Sequence, residues 1–89
     1  MTTMFIRHQV GDFAQWKQVY DGLRDTQKRL GVTAEAVYRA PTDRNDVTVS
    51  HDFANLDRAR AFVESDELRG AMQNAGVVGE PTLWFADRV

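Results

Sequence analysis

The chain contains no cysteine. That absence excludes disulfides, thiolate nucleophiles and sulfur ligation of zinc or iron. Its six glycines are scattered at turns and segment ends rather than gathered into a phosphate-cradling loop. No apolar run approaches the roughly 18 residues needed to span a bilayer, so no membrane partner is expected. The opening stretch MTTMFIRHQVGDF lacks the apolar centre of a signal peptide, which makes a cytoplasmic protein the expectation. Neither sign of charge dominates. Eleven Lys and Arg stand against thirteen Asp and Glu, a net charge of −2, which argues against nucleic acid as a partner.

What remains is an ordinary folded composition, 43% hydrophobic and 27% charged, over 89 residues. That length is one domain, residues 1–89. A chain this short buries only about 60–65% of its unfolded surface, so association with a second chain is the natural supplement to its core.

Residues 3–10 mix β-branched, aromatic and apolar side chains and predict a strand, with Asp12 as the N-cap of a helix after it. Phe13, Trp16, Tyr20, Leu23 and Leu30 recur at helical spacing and predict one amphipathic helix of about five turns, stopped at Gly31. Gly22 lies inside it at a cost of about 1 kcal/mol relative to Ala, which packing must override. Residues 32–40 alternate with period two up to Pro41, and the turn-rich PTDRND leads to a second strand over 46–53, forming a hairpin. Asn55 caps a helix carrying Leu56, Ala59, Phe62 and Val63. Ser65, followed by Asp66 and Glu67, is a second start signal, and the helical region ends at Gly76. A last strand is expected to begin at Pro81. The order β-α-β-β-α-β is the ferredoxin-like α+β pattern, an antiparallel four-stranded sheet in order 4-1-3-2 with its helices on one face.

Side chains alternate along strands, so the two faces of the sheet can be read separately. Met4, Ile6, His8 and Val10 share a face, as do Val47, Val49, His51 and Phe53, and these richer sets are expected under the helices together with Tyr38, Leu83 and Phe85. Phe5, Val37, Trp84 and Ala86 are then left on the far face among Arg7, Glu35 and Arg39. An uncovered Trp and Phe on a bare sheet mark an association surface. RNA-binding sheets of this topology also expose aromatics, but the acidic balance and the lack of a Lys/Arg-Gly-Phe motif speak against that use. The expectation is a two-fold homodimer with Phe5, Arg39 and Trp84 at its interface.

The stretch from His8 to Trp16, the Val37-Tyr38-Arg39 triplet, the Asn45-Asp46-Val47 turn, the Ala59–Ser65 helix, the Ala71–Val77 stretch and Pro81 together resemble the dimeric α+β barrel superfamily. Its antibiotic-biosynthesis-monooxygenase-like and small polyketide-cyclase-like members are the ones this pattern resembles. The resemblance covers nearly the whole chain and implies a cavity between helices and sheet, an aromatic or polyketide-type small-molecule ligand, and chemistry without a cofactor. One departure stands out: the helix after the third strand carries no histidine, unlike many monooxygenases and haem-degrading relatives of the superfamily.

Within such a cavity His8 and Tyr38 are the candidate catalytic residues, His8 as a general base and Tyr38 as a hydrogen-bond donor to a developing oxyanion. His51, Trp16 and Tyr20 are expected to line the walls. Each has a structural alternative. His8 then bonds a backbone group near the Gly11-Asp12 turn, His51 is a buried strand-end histidine, and Tyr38 and Trp16 are core. The two histidines lie about four residues apart along neighbouring strands, roughly 13 Å, too far to share a metal, and no metal site is expected. The functional alternatives are a cofactor-free cyclase-like or monooxygenase-like enzyme and a non-enzymatic dimeric ligand-binding or structural module. A cavity that both His8 and Tyr38 reach favours the first; a filled core favours the second.

Overall fold

The computed structural model describes residues 1–89. The elements run β1 (Thr2–Val10), α1 (Phe13–Asp21), α2 (Arg24–Arg29), β2 (Ala34–Arg39), β3 (Asp46–Phe53), α3 (Leu56–Val63), α4 (Asp66–Asn74) and β4 (Val77–Asp87). The strands form one antiparallel sheet in the order β2-β3-β1-β4, the expected ferredoxin-like arrangement with each helical leg divided in two. No helix is long and apolar enough to cross a membrane.

The helix starts follow from side-chain capping. Asp12 Oδ1 accepts from the Ala14 amide at 2.9 Å, Asn55 Oδ1 from Arg58 at 2.9 Å, and Ser65 Oγ from Leu68 at 3.2 Å. Each satisfies an amide that the first turn leaves without a partner. The first leg departs from the single helix that its periodicity predicts. Gly22 ends α1, the Leu23 amide closes a tight turn onto Tyr20 O at 3.0 Å, and α2 begins at Arg24. Packing does not override the glycine here, although the apolar stripe continues across the break through Leu23 and Leu30. At Gly31 φ is +100°, the left-handed stop that the residue type permits without strain.

Two further expectations change in the sheet. β4 starts at Val77, four residues before Pro81. Opposite β1, Arg7 faces Thr82 and Gln9 faces Val78, so β4 carries extra residues there, a bulge that includes Gly79 at φ +72°. On an edge strand at a bulge, the missing amide hydrogen of Pro81 leaves no ladder bond broken.

The second change is the face of β2. Val37 lies opposite Val49 and packs into the core, whereas Tyr38 lies opposite Thr48 and projects from the far face, 59% exposed. Glu35 and Arg39, opposite His51 and Val47, share the helix-side face. A one-residue difference in register exchanges every side chain of a strand between faces, and Val37 buried against Val49 sets it.

The core lies between sheet and helices in two adjoining clusters. One gathers Val10, Trp16, Tyr20, Val47, Val49 and Ala75; the other gathers Met4, Ile6, Phe53, Ala59 and Phe62. The histidines His8 and His51 are buried with them.

Candidate functional site

β1 and β3 place their histidines on the helix side by simple alternation, His8 between Ile6 and Val10 and His51 between Val49 and Phe53. His8 is opposite Val47 and His51 opposite Met4, so the two stand four residues apart along neighbouring strands. Helix α1 bridges that gap. Trp16 and Tyr20, one turn apart, put their rings between the imidazoles. Centroids are 5.6 Å apart from His8 to Trp16, 5.0 Å from Trp16 to Tyr20 and 6.0 Å from Tyr20 to His51. The Trp16 and Tyr20 planes are within 16° of parallel, an offset stack. Phe62 closes the far end edge-on to His51.

Hydrogen bonding is sparse in this layer. Tyr20 Oη and His51 Nε2 are 3.0 Å apart and bonded. Neither ring nitrogen of His8 reaches a protein partner, and neither does His51 Nδ1. The expected bond from His8 to the Gly11-Asp12 corner is therefore not made. That corner is held instead by the Gly11 amide donating to Gly76 O and the Val10 amide donating to Asn45 O. Buried polar atoms without partners are rare in native proteins, because each loses its hydration without compensation.

Burial also settles the charge states. It pushes His51 down to about 4, against a smaller opposing effect of Asp52. It lowers His8 as well, with Asp46 opposing. The Tyr20 hydroxyl is pushed up, first by burial and then by the charge of Glu35. At neutral pH the layer holds two neutral imidazoles and a protonated phenol.

The unpartnered nitrogens border two adjoining hollows of about 40 Å³ each. The first is almost wholly apolar and is lined by His8, Trp16 and His51 on one side and by Leu68 and Met72 of α4 on the other. The second continues past Tyr20 and His51 to the more polar Thr26, Gln27 and Glu67. His8, His51, Trp16 and Tyr20 thus come together as the sequence implies. Tyr38 does not reach the hollow, and the hydroxyl near the imidazoles is that of Tyr20. No three His, Asp or Glu side chains converge as a metal-binding group would require.

Of the residues expected at an interface, Phe5 and Trp84 lie on the far face with their rings stacked at 5.2 Å. Arg39 does not join them. Its guanidinium sits 3.8 Å from the centre of the Phe13 ring on the helix side, and its Nε donates to Arg44 O at 2.9 Å. Two polar neighbours of the site, Gln27 and Glu35, have no signal in composition or motif. Glu35 becomes visible only through the hairpin register that sets it opposite His51.

No protein-family model and no curated protein matches the sequence. Solved structures do match. A protein from Bordetella bronchiseptica, provisionally called an antibiotic biosynthesis monooxygenase, superposes with a TM-score of 0.86 at 16% identity over 99% of this chain and 96% of that one. SnoaB from Streptomyces nogalater, a cofactor-independent oxygenase, superposes with a TM-score of 0.76 at 17% identity over 99% and 94%. A third, from Caulobacter crescentus CB15 and also provisionally an antibiotic biosynthesis monooxygenase, gives 0.79 at 18% identity over 99% and 89%. The chain therefore shares the α+β fold of these structures. At these identities the likeness establishes the fold, and the chemistry has to be argued from the residues.

Proposed function

We propose that this protein is a cofactor-free, monooxygenase-like enzyme acting on an aromatic or polyketide-type small molecule, working as a cytoplasmic homodimer. The observation that carries the reading is His8: a buried, neutral imidazole with both nitrogens unpartnered, beside an apolar hollow walled by stacked aromatic rings. A neutral imidazole in such a place is a proton acceptor waiting for a donor.

In the reaction, a substrate methylene made acidic by its aromatic ring gives a proton to His8. The resulting carbanion forms a carbon–oxygen bond with dioxygen and takes the proton back as a hydroperoxide. Loss of water leaves a carbonyl. One oxygen atom ends in the product and the other in water, and both electron pairs come from the substrate, so the stoichiometry needs no outside reductant. Cyclisation begins with the same proton abstraction; the likeness to a cofactor-independent oxygenase favours oxygenation. His51 and Tyr20 form a second polar pair for a substrate oxygen, the role that the sequence pattern suggests for Tyr38.

Dimerisation through the far face accompanies this reading. That face presents the stacked Phe5–Trp84 pair and a concavity of about 450 Å³ lined by Phe5 and the exposed Tyr38. A second reading, a dimeric ligand-binding or structural module without chemistry, is favoured by the tightness of the inner hollows. As they stand they admit groups the size of water or dioxygen. An aromatic ring enters only if Leu68 and the pliable Met72 move aside.

Oxygen uptake with an electron-rich fused-ring phenol carrying an acidic methylene, using labelled dioxygen, tests the proposal. One labelled atom should enter the product, and His8→Ala should lower the rate about 100-fold or more. Turnover unchanged by His8→Ala, or binding of the phenol without oxygen uptake, contradicts it.

A further inference from the structure

Beside α2 the surface carries an open groove of about 190 Å³, bordered by Arg24, Gln27, Lys28, Thr33 and Glu35. Behind it is the second inner hollow, whose walls include Tyr20, Gln27, His51 and Glu67. That hollow shares Tyr20, Leu23, His51, Leu68 and Ala71 with the first, which reaches His8. Gln27 is the residue common to the groove and the second hollow, and it is only 5% exposed. It forms the partition between solvent and the buried layer.

Helix α2 holds this partition loosely. Of its six residues Gln27 alone is buried, and no side chain caps the helix at Leu23. A helix is held to a core by its apolar stripe, and here that stripe is confined to Leu23 and Leu30 on either side of α2. A glutamine that swings outward rehydrates its amide, so opening costs less than exposing an apolar side chain of the same size. Charge in the groove is uneven. Arg24 faces Glu35 at 3.7 Å and Asp21 at 3.9 Å, whereas Lys28 pairs with no carboxylate.

We propose that this groove is the mouth of the buried site, with Gln27 as its gate and Lys28 selecting aromatic ligands that carry a carboxylate. The ring passes Gln27 into the second hollow, against Tyr20 and His51. The carboxylate stays in the groove beside the Lys28 ammonium, where it keeps its hydration and avoids the cost of entering an apolar space. Further travel toward His8 displaces Leu68, which borders both hollows. No bond forms or breaks in this step.

The inference rests on the reading of the buried layer as a ligand site, and its test follows binding rather than turnover. The chain has two tryptophans, so Trp16 is the only one in a Trp84→Phe background. Stopped-flow quenching of Trp16 reports the binding of 4-nitrobenzoate and of the neutral 4-nitrobenzamide. At low salt the acid should bind about threefold more tightly than the amide, and Lys28→Gln should abolish that difference without weakening the amide. Gln27→Ala should speed association of both ligands about tenfold, because the open state no longer has to be reached first. Gln27→Leu, an apolar plug of similar size, should slow it, and decides the point if Gln27→Ala does not fold. Equal affinity for acid and amide, association rates indifferent to Gln27, or no quenching by either ligand at millimolar concentration overturns the proposal. A failed oxygen-uptake assay with these binding effects intact leaves the mouth in place. Oxygenation that depends on His8 alongside rates indifferent to Gln27 removes the mouth alone.

Discussion

The Tyr20 hydroxyl meets His51 at Nε2, 3.0 Å away, and no protein group meets the same ring at Nδ1. An imidazole so placed is held neutral by burial, and folding stability must reflect it. The unfolded chain has an ordinary histidine near 6.5, whereas the folded one binds its proton only near pH 4. Above pH 6.5 both states are neutral and the fold is at full strength. Between pH 6.5 and 4 the unfolded chain takes up a proton that the folded chain refuses, and stability falls by about 3 kcal/mol. His8 shifts in the same direction and adds to the slope. Denaturant titrations across this range should show the loss, and His51→Leu should flatten most of it.

The stacked Phe5 and Trp84 rings on the far face predict a concentration-independent dimer at micromolar protein. Trp84→Glu puts a charge at the centre of that patch and should yield a folded monomer by sedimentation. A wild-type monomer, or a Trp84→Glu dimer, would remove this face from the interface.

Arg39 separates the two faces of β2. Its contact is with Phe13 on the helix side, so Arg39→Ala should cost about 0.5–1 kcal/mol of stability and leave the monomer–dimer equilibrium untouched. A shift in association without a stability change would return Arg39 to the interface.

Gly22 has φ −70° and ψ −9°, and an added Cβ would meet nothing closer than Val19 O at 3.4 Å. Gly22→Ala should therefore stabilise the protein by about 0.4–1 kcal/mol, mainly by restricting the unfolded chain. Urea denaturation measures it directly, and a loss of stability would mean that the break between α1 and α2 needs the glycine.

Much of this architecture is legible in the sequence because local and long-range signals agree there. The apolar alternation of Met4, Ile6 and Val10 with that of Val47, Val49 and Phe53 orients β1 and β3, and with them both histidines. Asp12, Asn55 and Ser65 mark three helix starts by their chemistry. β2 is different. Its only bulky aliphatic residue is Val37, and Tyr38 beside it offers an equally good apolar surface, so only pairing with β3 decides which one is buried. That one ambiguity misplaces Tyr38, Arg39 and Glu35 together. The division of the first helix is hidden because Leu23 and Leu30 keep the apolar stripe in phase across Gly22. The early start of β4 is hidden because a bulge absorbs Pro81.

The most direct test is an anaerobic titration with a fused-ring phenol, monitored by the ring resonances of His8 and His51 and the fluorescence of Trp16 in a Trp84→Phe background. Binding in the helix–sheet hollow shifts both imidazoles and quenches Trp16 together, with a midpoint that His8→Ala weakens. Shifts confined to Phe5 and Tyr38 on the far face, with both imidazoles undisturbed at saturation, would mean that the buried histidines belong to no site.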